Sequence, residues 1–300
     1  MEAAAERLTR AFVQSMYARL SARGVVLESA PARRPNSLLF VDLDIQQSVE
    51  IPRALQQLRR LSPVGLGHVT EFVFRWPVTL PANESGVDRA LDEIARAFKL
   101  QRIHASAGFV HASVGSEPSI EWGRGALAQP SGASNDSEVL LACREVELAS
   151  LLRNGRAMWT PKHYHYRLPS GRHSGTFVRL ADAIRSPRDA EVLAWWLLEH
   201  GTDRLGILID TSTVMSIVLA LQRMLAAEGH ALGSVITLST YPATMSEFAR
   251  AIRDAARDQS PVLALLSVSS SGALRDRLLT ALGNMEHLIG HCIHSSTNSS

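Results

Sequence analysis

Lysine is nearly absent from this chain. Of 31 basic residues only Lys99 and Lys162 are lysines, and the rest are arginines. A genome rich in G and C produces that usage, so a bacterial source is the expectation. Few flexible ammonium groups remain for catalysis. Cysteine is scarce too. The 2 cysteines, Cys143 and Cys292, form no CxxC pair and build no disulfide framework. A reducing, cytoplasmic setting is therefore expected. Long apolar runs are missing: nothing approaches the roughly 18 residues that a membrane span needs. An excess of charge of one sign is missing as well. The formal net charge is +2, which steers the protein toward neither nucleic acid nor acidic membranes. The first residues, MEAAAERLTRAF, carry charges at helical spacing and lack the basic start and apolar run of a signal peptide.

The remainder is an ordinary globular composition, 46% hydrophobic and 20% charged over 300 residues. That length accommodates two domains with separate cores. A Ser-, Gly- and Asn-containing stretch at 129–137 marks the expected boundary. Domains are placed at 1–135 and 136–290, with a disordered tail over 291–300. In the first, Leu8, Phe12, Met16 and Leu20 fall four apart and predict an amphipathic helix over 2–23, stopped by Gly24. Strands are expected over 37–45, 68–80 and 103–114, and helices over 51–61 and 87–100. This half reads as an α+β unit of alternating elements. Asp42 and Asp44 share one face of their strand, either as paired acids or as a solvated strand end.

After a helix over 138–154, strands and helices alternate. Strands are expected at 176–180, 204–210, 234–239 and 261–267, and helices at 187–200, 214–228, 244–257 and 272–282. That order predicts an α/β domain with a doubly wound parallel sheet. The continuous apolar runs at 207–209 and 262–266 suit strands buried on both faces. Trp195 and Trp196 interrupt a helix as core or as a dimer face.

Three segments carry small and hydroxyl residues beside these strands. The first is His165-Tyr166-Arg167-Leu168-Pro169-Ser170-Gly171-Arg172-His173-Ser174. The second is Asp210, Thr211, Ser212 and Thr213, between an apolar strand and a helix. Backbone N–H groups at such a helix start are a natural anion site. The third is the apolar run ending at Leu266 and Ser267, then Ser269, Ser270, Ser271 and Gly272 before a helix. This last loop is read both as a phosphate cradle and as a serine N-cap that needs no ligand.

In order and spacing, residues 163–282 resemble the orotate phosphoribosyltransferases of the type I phosphoribosyltransferase class. The resemblance implies a phosphoribosyltransferase-like sheet. It places the first segment (His165, Tyr166, Ser170, Gly171, His173, Ser174) in a hood over the base. The second becomes the pyrophosphate loop and Ser269–Gly272 the ribose-phosphate loop. Several family residues differ. Pro169 stands for the Lys before Ser-Gly, and Leu266 and Ser267 stand for the two acids that hold the ribose hydroxyls. The stretch 239–246 has no Lys, Arg or His where the family's closing loop carries cations. No catalytic residue is therefore assigned. The expectation is a degenerate transferase that binds a nucleotide, a phosphosugar or a protein partner, in a bacterial signalling or defence setting. An active transferase or nucleosidase with atypical residues is the alternative, and magnesium enters only in that case. A structural subunit is the third reading. No other cofactor, no membrane contact and no strong nucleic-acid binding are expected. A homodimer or a larger complex is.

Outside these segments, His163 and His165 share a strand face and serve either in stacking and proton transfer or in packing. His287 and His291 lie four apart, read as two metal ligands lacking a third or as one face of a last helix. No metal site is assigned.

Overall fold

The structure, a computed structural model, describes residues 14–21, 24–31, 38–44, 69–75, 84–101, 104–123, 135–160, 163, 166–167, 173–175, 177–238, 245–256, 261–267 and 280. The chain divides into two compact units. One comprises Met1–Ala112 with Glu117–Ser150, the other Ser113–Ser116 with Leu151–Ser300.

The first unit opens with strands β1 (Gln14–Ser21) and β2 (Gly24–Pro31), paired antiparallel from Gln14↔Pro31 to Ser21↔Gly24. Over 14–21 this corrects the helix expected at 2–23, and residues 2–13 lie outside the described residues. Met16 and Leu20 are four apart, but with Ala18 between them they also alternate, and both periods fit the same residues. Gly24 begins a strand rather than ending a helix. Strands β3 (Leu38–Asp44), β4 (Glu71–Arg75), β5 (Ser106–Ser113) and β6 (Ser116–Trp122) complete a six-stranded sheet in the order β2-β1-β3-β4-β5-β6. The pairings β1–β3, β3–β4 and β4–β5 are parallel. The alternation read from the sequence thus builds a mixed α/β sheet rather than a segregated α+β unit. Leu38 to Leu43 and Glu71 to Arg75 are buried at every position, as strands covered on both faces must be.

Each face has its own helix. On one, Phe72 meets Phe98 of α1 (Glu84–Gln101) at 4.6 Å between ring centroids, and Phe74 meets Phe109 at 5.5 Å. On the other stand Phe40, Asp42, Glu71 and Arg75. There the guanidinium of Arg75 lies 5.2 Å from the Phe40 ring centre. It pairs with Asp42 of the neighbouring strand at 3.3 Å and with Glu147 of α2 (Asp136–Asn154). Trp122 Nε1 donates to Asp136 Oδ1 at 3.0 Å, fixing the start of α2 to β6. Gly115 takes φ +73° in the turn between β5 and β6, a conformation that glycine adopts freely.

In the second unit, β7 (Met158–Trp159) pairs antiparallel with β10 (Phe177–Val178), and β8 (Tyr166–Arg167) with β9 (His173–Ser174). The strand expected over 176–180 therefore lies in a two-stranded ribbon, outside the parallel sheet. Its two residues are too few to bury a face, and Phe177 is 40% exposed. A short helix α3 (Leu180–Ala183) precedes α4 (Pro187–Trp195). Helix α4 starts where the sequence places it. Ser186 and Asp189 form a reciprocal capping box, and Pro187 occupies the first helical turn.

The sheet of this unit, among the described residues, has β11 (Arg204–Ile209) between β12 (Ala231–Thr237) and β13 (Val262–Leu265), all parallel. Helix α5 (Met215–Ala227) links β11 to β12, and α6 (Met245–Ala255) links β12 to β13. The two crossovers run in opposite directions, so right-handed connections place α5 and α6 on opposite faces. Leu208, Val262 and Ala264 pack with Phe248, Ile252 and Ala255 of α6. Gly206 allows this approach: a β-carbon there would stand 2.1 Å from the Ala255 carbonyl oxygen. Trp195 and Trp196 are 2% and 5% exposed and meet edge to face. They are core, and residues 14–21 are strand. The dimer face read at the two tryptophans is therefore not an exposed surface. No helix of the described residues is long and apolar enough to cross a membrane.

Arg75 is the neutralising cation of a buried site, 1% exposed between Asp42 at 0% and Glu147 at 1%. Removing one partner of a buried ion pair costs about 3–5 kcal/mol, because the other charges stay buried. Arg75→Met is expected to lower urea-unfolding stability by that amount. Adding Asp42→Leu and Glu147→Met is expected to restore most of it.

Candidate functional site

The carboxyl ends of parallel strands are where open α/β sheets bind ligands. In the second unit β11 and β13 are neighbours there, with Ile209 opposite Leu265 in the register. The chain leaves β11 at Asp210 and β13 at Leu266 and Ser267. Asp210 bridges the two exits. Its carboxylate accepts the Ser267 backbone N–H at 2.9 Å on Oδ1 and 3.0 Å on Oδ2, and the Ser267 hydroxyl donates to Oδ2 at 2.8 Å. The Asp210 N–H itself points to the Leu265 carbonyl at 3.4 Å.

This bridge gives each position a physical role. Leu266 packs beside the α6 core cluster. Ser267 is committed to Asp210. Ser269, Ser270, Ser271 and Gly272 follow directly in the chain and lie outside the described residues. Thr211 is extended (φ −146°, ψ 155°), and Ser212–Val214 form one 3₁₀ turn that runs into α5. No side chain caps that turn. The Thr211 Oγ1 is buried without a hydrogen-bond partner. The hydroxyls of 211–213 therefore do not serve as caps, although their residue types favour that role.

Burial is the largest influence on Asp210 and raises its carboxyl above the ordinary value of 3.8. The hydrogen bonds from Ser267 pull in the opposite direction and are weaker. The folded state thus holds the proton more tightly than the unfolded chain does. The contribution of Asp210 to stability falls as pH rises from 3.8 through the raised value, and is flat above it.

Of the hood residues, Tyr166 stands opposite Ser174 in the β8–β9 pair, and Arg167 opposite His173. The Tyr166 ring meets Phe177 at 5.1 Å between centroids. His173 is exposed. His165, Ser170 and Gly171 lie outside the described residues, as do His287 and His291. Among the described residues no cluster of His, Cys, Asp and Glu is arranged to hold a metal ion.

Sequence reading passed over Arg75, Glu71 and Glu147. The signal was there in part: Glu71 and Arg75 bracket an apolar strand at even spacing and so share a face. Asp42 was noticed, and the structure gives it Arg75 as its register partner. Asp44 ends β3. On β5, burial lowers the His111 imidazole below its ordinary value, and Nε2 stands 3.6 Å from the Glu121 carboxylate.

No family model matches the sequence, and no curated protein matches it. Among solved structures, the UMP synthase of Leishmania donovani is similar over 86% of this chain, with 16% identity and a TM-score of 0.34. The chain spans 55% of that structure's length. A score this low assigns neither a fold family nor a function.

The bridge makes two substitutions at one position diverge. Asp210→Ala leaves the Ser267 N–H without its acceptor, and a loss of about 1–3 kcal/mol is expected. Asp210→Asn keeps an acceptor oxygen and removes the buried charge, so stability at neutral pH is expected within about 1 kcal/mol of the parent. Thermal unfolding followed across acid to neutral pH reads both variants. The asparagine variant is expected to lose Asp210's share of the pH slope.

Proposed function

We propose that the second unit is a phosphoribosyltransferase-like module that binds a phosphorylated ligand at the carboxyl edge of its sheet and does not transfer it. The observation that carries this reading is the Asp210–Ser267 bridge between the exits of β11 and β13. It ties the two strand exits that lead in sequence toward the loops assigned to phosphate groups, at the edge where such folds bind ligands. It also accounts for the lost chemistry. A transferase needs carboxylates at 266 and 267 to hold the ribose hydroxyls. Here residue 266 is an apolar side chain against the core and residue 267 is a serine bound to Asp210. Magnesium diphosphate would find no carboxylate at either position, so no transfer step is assigned to it.

What remains is recognition by backbone amides. Ser269, Ser270, Ser271 and Gly272 stand before a sequence of helical pattern and offer N–H groups and hydroxyls without adding charge. Binding through such donors is modest and salt-sensitive. The Asp210 charge is directed at Ser267, which reduces its repulsion of an anion in the next loop.

Thermal unfolding in the presence of ribose 5-phosphate and nucleoside 5′-monophosphates tests this reading. A ligand at one hundred times its Kd stabilises by about 2.7 kcal/mol, which a melting curve resolves. The part of the shift beyond that given by inorganic phosphate alone is expected to vanish in Gly272→Asp, which sets a carboxylate in the loop. No magnesium-dependent release of diphosphate from phosphoribosyl diphosphate is expected. Release at enzymatic rates would overturn the proposal.

A further inference from the structure

At the end of α2 the backbone is strained in a place where the sequence had a cheaper choice. Arg156 has φ +50°, the positive-φ non-glycine residue among those described. The helix closes around it: the Ala157 N–H donates to the Leu152 carbonyl at 2.8 Å and the Arg156 N–H to the Arg153 carbonyl at 2.9 Å. This is a Schellman closure, and glycine is the usual residue at its left-handed position. Here the glycine stands one residue earlier. Gly155 is needed for contact, since a β-carbon there would stand 2.0 Å from the Asp182 carbonyl oxygen. The left-handed position is left to an arginine, whose β-carbon is disfavoured in it.

That arginine lines an open cavity of 450 Å³ together with Asn154, Gly155 and Arg185. Cavities that hold small ligands run from about 300 to 1,000 Å³. Arg185 is oriented by donating through Nη1 to the Asn154 carbonyl at 3.0 Å. The acids along the adjoining segments are engaged elsewhere. Asp182 faces Arg179 at 3.8 Å. Asp189 accepts from Ser186 and from the Arg185 backbone N–H. Glu191 stands between Arg188 and Arg223. Among the described residues, neither the Arg156 nor the Arg185 guanidinium is paired with a carboxylate. Two unneutralised guanidinium groups, one on a backbone fixed by the helix closure and one bonded to a backbone carbonyl, offer fork-shaped donors to one space.

We infer that this cavity is an anion site, which takes the phosphoryl group of a small phosphorylated ligand on Arg156 and Arg185. None of its lining residues belongs to the carboxyl-edge loops, so the inference stands apart from the function proposed above. The strained arginine is then retained for its charge, at a position where glycine would relax the backbone.

Arg156→Gly is the deciding variant, because it removes the guanidinium while easing the backbone, and so keeps the fold. Inorganic phosphate is titrated against the parent, Arg156→Gly and Gly272→Asp, with ionic strength matched by chloride. In the parent and in Gly272→Asp, phosphate is expected to raise Tm by a few degrees. In Arg156→Gly the rise is expected to disappear, with at least a tenfold loss of affinity by calorimetry. Three outcomes would overturn the site: no phosphate-dependent rise in the parent, a rise retained in Arg156→Gly, or a rise abolished by Gly272→Asp alone. The last would move the phosphate to the serine loop.

Discussion

The bridge between Asp210 and Ser267 is the constraint on which the second unit's edge depends. Parallel neighbours part company once the ladder ends, and the loops that leave them have no partners of their own. At Ile209 and Leu265 the ladder between β11 and β13 ends. One residue later a carboxylate reaches across and takes both the N–H and the hydroxyl of Ser267. The two exits therefore leave the sheet as a tied pair. The tie also fixes what residue 267 can do, since its donors are used. It turns Leu266 toward the core, where an acid would be costly.

Both units place their buried charge at the same kind of position. In the first, Arg75 is the last residue of β4, and its partner Asp42 lies near the end of β3. Apolar runs long enough to be buried on two faces must stop where the chain leaves the sheet, and the first polar residues there are still partly enclosed. Such groups are tolerable only when paired. Arg75 meets this requirement with two carboxylates from a strand and a helix, plus the Phe40 ring. Asp210 meets it with neutral donors instead. The difference shows in its acidity: neutral donors do not offset burial, and its carboxyl stays above the ordinary range.

How much of this was legible in the sequence depends on whether one local pattern decided the matter. The helix at 187 was legible because Ser186, Pro187 and Asp189 act within one turn. Strands β11 and β13 were legible as uninterrupted apolar runs. The first hairpin was not, because Met16, Ala18 and Leu20 satisfy both a strand and a helix period, and only the sheet partner chooses. The 176–180 segment was misplaced for a related reason. Phe177 and Val178 look like a strand, yet nothing local says that Met158 and Trp159 are their partners. In the candidate site, the loop positions could be read, but not the Asp210–Ser267 contact, which spans 57 residues of chain. From the sequence Asp210 therefore reads as part of a phosphate loop rather than as a tie between strands.

The scarcity of lysine bears on how this chain meets anions. Lys99 lies in the last turn of α1 in the first unit, and Lys162 lies outside the described residues. Fixed positive charge in the described part of the second unit is thus carried by arginine. A lysine reaches an anion as a mobile point charge, whereas a guanidinium must be aimed for its donors to match a phosphate. Aiming requires support, and the chain supplies it from the backbone: a helix closure around Arg156 and the Asn154 carbonyl under Arg185. The strain at Arg156 and the crowding at Gly155 then have one cause. The glycine lets the chain after α2 lie close to the Asp182 backbone, and the next residue, left-handed, lines the cavity.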